Sequence, residues 1–593
     1  MKSNPTDPKT VQWKGTNREL AVWMQEKLEA AARESGTCAV CAAVCADGRL
    51  LAAACAGSRG FDESTAEVDD LYNIGSVSKI YVTAAVMKLA GEGKLALDNP
   101  VVMYLPNWRL ADERYPQITL RMLLNHSSGI PGTNLRDKLD MDYRDRLFTG
   151  KYRNTPEYWG RVKLRAKPGS FSSYGNDGFD LLAEVVEAVT GEPYIEWLRE
   201  KIAKPAGLYS VGAGRWALEE RIKVSCKGRK PEFYNCFGAG AIHTTVPECA
   251  MFGYLFVDAQ NLIGQAYLDE TRRPQGKSFL EGADDALNYC LGWDSLYTRG
   301  KIPLGEGAVI KDGGTEQFNS LLLVSPAKGL SLAISATSDG DVWWLELLEE
   351  IGGNALKLLG RYEQPDSAGG EQRNGKQEEK ALLCRKKRTD AGVGDADAEV
   401  PADIVSRYSG TAYGSSRIYR FAVCGDLLCA ECYEGSGSWK REEELCGYRW
   451  NGSCFAKGEN DRFLAQEHEG NVYYTRWGMA FCQKNRSYPS PGNVWPSLIG
   501  TYFAAGEGLL GKVCLSEINE DNVLIFTTEH EDYPIVPLVC DPQREKETCL
   551  ISQTDRDGIV FSLEEDEDGT WLRMGTDRYK KAGNIFFQGE NRD

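Results

Sequence analysis

The sequence predicts an α+β domain followed by two small antiparallel β-barrels. Three observations support this prediction. Sheet-forming segments lie at both ends of residues 1–360 and helical periodicity fills the middle, which is typical of an α+β domain whose sheet is built from distant parts of the chain. A charged, glycine-rich segment follows at 361–400. Beyond it, short β-branched and aromatic runs recur between Gly, Asn and Asp turns, the pattern of antiparallel strands.

The first domain opens with a helix and a hairpin. Residues 18–36 carry apolar side chains at helical spacing and end on a glycine. The runs at 38–45 and 50–56 are apolar or alternate, and Ala46-Asp47-Gly48 between them indicates a hairpin turn. Further along, the pattern predicts a helical region, two strands and a closing helix, at about 76–260, 319–325, 330–336 and 342–360.

The rest of the chain divides into a linker and two barrels. Residues 361–400 lack apolar periodicity and are predicted to form a charged, flexible linker. After it, SRYSGTAY at 406–413 resembles SLIGTY at 497–502, and each opens a segment of roughly 90 residues. We therefore predict β-barrel domains at 401–490 and 491–593.

The charge balance limits the classes of partner. The chain of 593 residues has 69 Lys+Arg against 86 Asp+Glu, a net charge of −17. Nucleic-acid affinity comes mainly from clustered Lys and Arg, so the composition excludes a nucleic-acid partner. No stretch approaches the roughly 18 uninterrupted apolar residues of a membrane span, and the N-terminal sequence lacks the apolar core of a signal peptide. We expect a cytoplasmic protein without a membrane partner.

The chain contains 18 Cys and 4 His. Without an export signal, the cysteines are expected to be reduced thiols. Two C-x-x-C pairs, Cys38/Cys41 and Cys429/Cys432, lie in strand-like runs without a second pair at zinc-site spacing or a nearby His. Small buried hydrophobic residues are the favoured interpretation of both pairs, and we expect no metal and no cofactor.

The residues with catalytic chemistry begin at Ser76. The run Ser76-Val-Ser-Lys79 follows a turn at Asn73-Ile-Gly and opens a helix predicted to extend to about Ala90. At positions i and i+3, the Ser76 hydroxyl and the Lys79 amine share one helix face, and the helix N-terminus favours developing negative charge. A nucleophile thus lies beside a base. In isolation this pattern is weak, and Ser76 as a helix cap is the simpler interpretation.

Two further segments change that balance. The Gly/Ser-rich run KPGSFSSYGN presents Tyr174 and Asn176 on a loop just before an amphipathic helix. Before the returning strands, Lys311-Asp-Gly-Gly-Thr places a cation and two glycines, Gly313 and Gly314, at the sheet edge. Glycines at such an edge let a substrate backbone approach closely.

With these segments in this order, the sequence resembles the penicillin-recognising serine hydrolases, in the branch of class C β-lactamases, DD-peptidases, D-aminopeptidases and esterases. The signatures S-x-x-K, Y-x-N and K/H-x-G correspond to Ser76–Lys79, Tyr174–Asn176 and Lys311–Gly313, and the flanking runs LALDNPV and ITLRMLLNHSSGIPG agree. The resemblance covers about 18–360. It implies a β-lactamase/transpeptidase-like domain with an antiparallel sheet flanked by helices, plus a helical region. The barrels look like the lipocalin-type domains appended to some D-aminopeptidase-like members.

The resemblance also implies how protons move. Ser76 would attack a carbonyl and form an acyl-enzyme, and Lys79 would help to deprotonate it. Tyr174 would act as general base and then as general acid, with its pKa lowered by the neighbouring Lys79 and Lys311.

The remaining residues would bind the substrate. Asn176 would orient the lysine and bond the substrate amide, and the N–H groups of Ser76 and Gly314 would form an oxyanion hole. Lys311 would lie near a substrate carboxylate. Asp312 departs from the Thr that is usual in the carboxylate-binding form of the third motif, and a negative charge there weakens the recognition of anionic substrates.

Other interpretations stay open for single residues. His126 is the candidate for a Ser–His–Asp triad, but its run LLNHSSG reads as a helix end passing into a turn, which favours a helix-capping or loop-bracing role. Tyr174 could be a packed aromatic residue and Lys311 a solvated charge at a strand end.

The sequence thus predicts a serine hydrolase that acts through an acyl-enzyme on amide bonds of small-molecule or short-peptide substrates. A D-stereospecific peptidase, amidase or carboxypeptidase with weak β-lactamase activity is favoured, because a cytoplasmic location does not suit a cell-wall transpeptidase or a protective β-lactamase. A carboxylesterase of the same fold is the alternative. A non-catalytic β-lactam- or peptide-binding sensor is the alternative of another class, although a binder has no need of both Lys79 and Tyr174.

Overall fold

The computed structural model describes residues 13–362 and 400–582 with gaps, and these two ranges belong to two separate compact units. In the first range the gaps are 61, 131–158, 161, 163, 165–166, 171, 173, 215–220, 277–288, 298–299 and 340–343. In the second they are 415–416, 436–437, 453, 458–460, 469–470, 477–478, 485–487, 506–509, 530–533, 542–543, 551–559 and 575–576. The predicted linker 361–400 therefore lies almost entirely outside the described residues.

A seven-stranded antiparallel sheet forms the centre of the first unit. In spatial order its strands are Trp13–Lys14, Arg49–Gly57, Ala39–Ala46, Leu330–Thr337, Phe318–Ser325, Val309–Gly314 and Ser295–Leu296. The N-terminal hairpin thus pairs with the returning strands, with Val40 opposite Ala336. Asp47 and Gly48 in the hairpin turn have φ of 50° and 72°, as a two-residue turn of this hand requires. The predicted α+β domain with a sheet built from distant segments is confirmed.

The strand Ala39–Ala46 explains how the layers are built. All of its residues are buried, because the sheet is covered on both faces. Cys41 belongs to the core shared with the helical region, whereas its neighbour Val40 belongs to the core shared with the helices Arg18–Ser35 and Trp344–Leu358. The Ala and Cys side chains of this strand are small, so helices pack closely on either side.

The helices agree with the predicted pattern except at two motifs. The described α-helices of the first unit are Arg18–Ser35, Ser78–Gly91, Leu120–Leu124, Asp177–Thr190, Tyr194–Leu198, Val246–Tyr254, Gln265–Thr271 and Trp344–Leu358. The expected helix start at Ser76 is wrong by two residues, because a 3₁₀ turn precedes Ser78. The third motif precedes the returning strands as expected, but it forms the strand Val309–Gly314 of its own, which is paired on both sides and does not lie at the sheet edge. Within the described residues, no helix has the length and apolar character needed to cross a membrane.

The second unit contains two closed antiparallel barrels, as predicted. The first barrel is formed by Gly410–Tyr413, Ile418–Cys424, Leu427–Gly435, Tyr448–Trp450, Phe455–Lys457, Asp461–His468, Asn471–Arg476 and Met479–Lys484, and Ser438–Arg441 adds an outer strand. The second is formed by Gly500–Ala504, Lys512–Ile518, Leu524–Thr528, Ile535–Asp541, Arg544–Leu550, Val560–Asp566, Gly569–Met574 and Asp577–Lys581. The short helices Ala402–Tyr408 and Trp495–Leu498 (3₁₀) precede them. The repeated segments at 406–413 and 497–502 therefore mark equivalent first strands.

Packed side chains fill the barrel interiors, and the two barrels share an interface. Phe421 and Tyr474 are buried in the first barrel, as Phe526 is in the second. The Tyr413 hydroxyl donates a hydrogen bond to the Asp521 carboxylate at 2.6 Å. This bond joins the first strand of one barrel to a turn of the other, so the barrels form one compact unit.

Candidate active site

Ser76 lies in a single 3₁₀ turn, Gly75–Val77, directly before the helix Ser78–Gly91. The side-chain oxygen of Asn73 accepts a hydrogen bond from the Gly75 N–H at 3.0 Å, which holds the start of the turn. We call Gly75–Val77 the nucleophile turn. Because the turn stands ahead of the helix, the Ser76 side chain is partly exposed while the neighbouring helix residues are buried.

Lys79 is the centre of the hydrogen-bond network at this turn. Its side chain is fully buried, and its three N–H donors have three acceptors. They are the Ser76 hydroxyl at 3.0 Å, the Asn176 side-chain oxygen at 2.6 Å and the Ala239 main-chain oxygen at 2.8 Å. Burial lowers the pKa of Lys79, although Tyr174 opposes that shift. The network therefore binds a lysine that gives up its proton more readily than an exposed one.

Tyr174 lies between two lysine ammonium groups. The Lys79 nitrogen is 4.9 Å and the Lys311 nitrogen 5.3 Å from the centre of its ring. Burial alone would raise the pKa of Tyr174, but Lys311, Lys79 and a hydrogen bond with Ser76 outweigh it, and the pKa is lowered from 10.0. This environment favours the phenolate, the form that accepts a proton.

His126 supports the Tyr174 loop. It follows the helix Leu120–Leu124 and has a φ of +60°, an unusual conformation that fits the turn expected from the sequence. Its Nδ1 atom accepts a hydrogen bond from the Gly175 N–H at 3.1 Å, and its ring stacks on Tyr174 at 4.5 Å. The imidazole thereby positions the loop that carries the Y-x-N motif.

The third motif packs directly against the nucleophile turn. A Cβ atom on Gly313 would lie 2.1 Å from the Ile74 carbonyl oxygen and 2.9 Å from the Ser76 nitrogen. Gly75 has a φ of +52°, and a Cβ there would lie 2.9 Å from the Gly314 nitrogen. Only glycines allow this approach, which brings the main chains at Ser76 and Gly314 together, as an oxyanion hole requires.

Lys311 is held by two acidic residues. Its side chain is fully buried, and both carboxylate oxygens of Asp294 lie 2.8 Å from its nitrogen. Asp312 accepts two further hydrogen bonds from the same ammonium, through its main-chain oxygen at 2.7 Å and its carboxylate at 3.1 Å. These anions raise the pKa of Lys311 against the effect of burial, so the group stays protonated.

Sequence reasoning missed three contributors to the site. Asp294 follows a tryptophan outside any motif, and Ala239 contributes only its main chain. Asp180 accepts hydrogen bonds from the N–H groups of Gly238 and Ala239, both at 3.1 Å, and so holds the carbonyl that binds Lys79. Asp180 could have been found from the sequence as an acidic residue on the apolar face of the helix after Asn176.

The structure thus brings the three motifs together. Ser76, Lys79 and Asn176 are joined by hydrogen bonds, Tyr174 lies beside the Lys79 and Lys311 ammonium groups, and the glycine strand abuts the nucleophile turn. Among the described residues, no group of three or more His, Cys, Asp or Glu side chains is placed to hold a metal ion. Chemically, the arrangement offers a nucleophile, two basic groups beside it and main-chain donors for an oxyanion.

The chain is similar in sequence to several known proteins. The chain is 26% identical over 288 residues to D-alanyl-D-alanine-carboxypeptidase/endopeptidase AmpH of Escherichia coli K12, covering 46% of this chain and 72% of that protein. It is 29% identical over 314 residues to penicillin-binding protein 4 of Amycolatopsis lactamdurans, covering 48% and 78%. It is 33% identical over 176 residues to esterase EstB of Burkholderia gladioli, covering 28% and 43%.

The family model described as Beta-lactamase matches residues 20–343. That range includes the nucleophile turn, the Y-x-N loop and the strand of the third motif, and it confirms the resemblance on which the motifs were identified. Because the match spans more than half of the chain, the protein belongs to the β-lactamase family of serine hydrolases.

Proposed function

We propose that this protein hydrolyses amide bonds of small molecules or short peptides through an acyl-enzyme on Ser76, as a D-stereospecific peptidase, amidase or carboxypeptidase. The observation that carries the proposal is the buried Lys79 ammonium, bonded to both the Ser76 hydroxyl and Asn176. Burying an ammonium adds little to stability, whereas a lysine in contact with a serine hydroxyl activates a nucleophile. AmpH, named as a carboxypeptidase and endopeptidase, supports the same class of reaction.

The placement of the groups supports an acyl-transfer mechanism with Tyr174 as the proton carrier. The Tyr174 phenolate takes the proton of the Ser76 hydroxyl while Oγ bonds to the substrate carbonyl carbon. The oxyanion that forms receives hydrogen bonds from the N–H groups of Ser76 and Gly314. Tyr174 then returns the proton to the leaving amine as the C–N bond breaks, which leaves the acyl-enzyme. Water repeats the sequence, giving its proton to Tyr174 and its oxygen to the acyl carbon, and Ser76 recovers the proton as the ester bond breaks.

A carboxylesterase is the second candidate. The same acyl-enzyme serves ester cleavage. Asp294 already forms an ion pair with Lys311, the cation that would otherwise bind a peptide carboxylate. The similarity to EstB, named as an esterase, supports this candidate. The cytoplasmic location remains a prediction from the sequence.

A substrate panel on the purified full chain tests the proposal. It contains D- and L-aminoacyl p-nitroanilides, D-Ala-D-Ala peptides, short-chain p-nitrophenyl esters and a chromogenic cephalosporin. We expect turnover of D-configured amides above their L-forms, slow cephalosporin cleavage and loss of all turnover in Ser76→Ala. If esters are turned over in preference to every amide, the result would favour the carboxylesterase over the amide hydrolase.

Ser78→Ala is the matched control, because it removes the same atom two residues away. The Ser78 hydroxyl is buried and accepts a hydrogen bond from the Ile242 N–H at 3.1 Å, so its loss should affect stability more than turnover. Turnover that survives in Ser76→Ala contradicts the proposal. A stable acyl-enzyme on Ser76 with no turnover of any substrate would instead indicate a sensor.

A further inference from the structure

Asp294 is held rigidly beside the third motif. It directly precedes the edge strand Ser295–Leu296, and its N–H donates a hydrogen bond to the Ile310 carbonyl at 3.1 Å. Both of its carboxylate oxygens lie 2.8 Å from the Lys311 nitrogen, and one of them also accepts the Asp312 N–H at 2.9 Å. The carboxylate is therefore fixed by strand pairing and by two donors.

All three N–H donors of the Lys311 ammonium already have acceptors within the protein. A lysine ammonium has three N–H groups, and here Asp294, the Asp312 main-chain oxygen and the Asp312 carboxylate accept from it. The Lys311 side chain is fully buried. A substrate carboxylate could bind this cation only by displacing an acceptor that the protein already supplies, and it would meet the negative charges of two aspartates.

Asp294 also changes the electrostatics at the base. Among the described residues, the titratable groups that face Tyr174 are Lys79 on the nucleophile helix, Lys311 in the sheet, Asp294 just before the edge strand, Tyr289 and the stacked His126 ring. Asp294 raises the pKa of Tyr174, opposite to the effect of the two lysines. Burial raises the pKa of Asp294 to about 7 although Lys311 lowers it, so above that pH the negative charge of Asp294 offsets part of the field that Lys311 exerts on the phenol.

We propose that Asp294 is a positioning residue that keeps the Lys311 ammonium turned into the protein and thereby selects against substrates with a carboxylate beside the scissile bond. The preferred substrates are neutral or cationic at that position, such as amides or esters without a free C-terminal carboxylate. This inference rests on the proposed function, because it assigns the substrate class of the same site, and within that function it favours an amidase or peptidase over a carboxypeptidase.

The test compares an N-acylated D-alanyl-D-alanine with its C-terminal amide, two substrates that differ only in the carboxylate. We would measure kcat/KM for both with wild type, Asp294→Asn and Asp312→Asn, and the pH dependence of Ser76 labelling by a fluorophosphonate in each. Asp312→Asn is the control, because it also removes a carboxylate next to Lys311 but its side chain is 68% exposed and screened by solvent.

We expect the wild type to prefer the amide. Asp294→Asn should raise the acid-to-amide ratio of kcat/KM by about tenfold or more, because the buried Lys311 cation loses a neighbouring negative charge where charges are poorly screened. The acid limb of its labelling profile should move to lower pH, since the loss of an anion lowers the pKa of Tyr174. Asp312→Asn should change both readouts much less. A purely structural role of Asp294 would leave the position of the acid limb unchanged.

A measurement on the wild type covers the case in which Asp294→Asn does not fold. N-acetyl-D-alanine amide should protect Ser76 from labelling at a lower concentration than N-acetyl-D-alanine. A wild type that prefers the acid in turnover or protection, or a folded Asp294→Asn with an unchanged ratio and pH profile, overturns the inference alone. A wild type that is not labelled at Ser76 overturns the proposed function and this inference with it.

Discussion

Replacing Gly313 with alanine tests the contact between the third motif and the nucleophile turn. The added Cβ atom would lie 2.1 Å from the Ile74 carbonyl oxygen and 2.9 Å from the Ser76 nitrogen. Both are backbone atoms, so the strand or the turn must move by about 1 Å, and a displacement of that size in an active site costs about 100-fold in rate. Overpacking of this kind also destabilises a fold by about 1–3 kcal/mol.

The assay is the second-order rate of fluorophosphonate labelling, with a thermal melt to show that the variant is folded. Gly314→Ala is the control, since a Cβ on Gly314 meets nothing closer than the Asn319 side-chain oxygen at 3.7 Å and both variants keep their N–H groups. We expect labelling of Gly314→Ala within about threefold of wild type, as for a substitution that disturbs no packing. Near wild-type labelling of Gly313→Ala, or equal losses in both variants, would refute the reasoning.

Three further predictions concern the base, its support and the linker. Tyr174→Phe should lower kcat by about 10²–10⁴-fold, as expected for a positioned acid–base group, and the wild-type rate should rise with pH through an apparent pKa below 10.0; near-normal kcat would assign the base to Lys79. His126→Ala should lower the free energy of unfolding by about 1–3 kcal/mol, because the Gly175 N–H loses its acceptor, but should slow labelling far less than Ser76→Ala; an equally deep loss in a folded protein would revive the triad. Limited proteolysis of the full chain should cut first within 361–400, where charged and glycine-rich sequence is readily cleaved, and leave a fragment that still labels; a protease-resistant linker would contradict the domain division.

Local chemistry accounts for the parts of the fold that the sequence predicts well. Asp47 and Gly48 accept positive φ, so the N-terminal hairpin is recognisable without tertiary information. Turn residues between aromatic runs likewise predict both barrels. The strand Ala39–Ala46 reads as uninterrupted small and apolar residues because it is buried on both faces, and its partner Leu330–Thr337 is buried throughout as well.

The parts that the sequence predicts less well depend on contacts across the fold. The edge strand Ser295–Leu296 has two residues, too few for any periodicity, so Asp294 could not be placed beside Lys311. The α-helix begins at Ser78, after a 3₁₀ turn that lies against Gly313 of the third motif, and a contact between such distant segments has no local sequence signal. The sequence does not predict that the Ala239 carbonyl is an acceptor, since a residue of any type can supply a main-chain carbonyl.

Mapping the site of covalent modification tests the central claim most directly. The full-length protein would be treated with a fluorophosphonate, its intact mass measured, and the adduct located by peptide sequencing. Activation of Ser76 by Lys79 and Tyr174 predicts one adduct per chain, on Ser76, formed faster as pH rises and absent from Ser76→Ala. An unmodified chain, or an adduct on another serine that persists in Ser76→Ala, would contradict it.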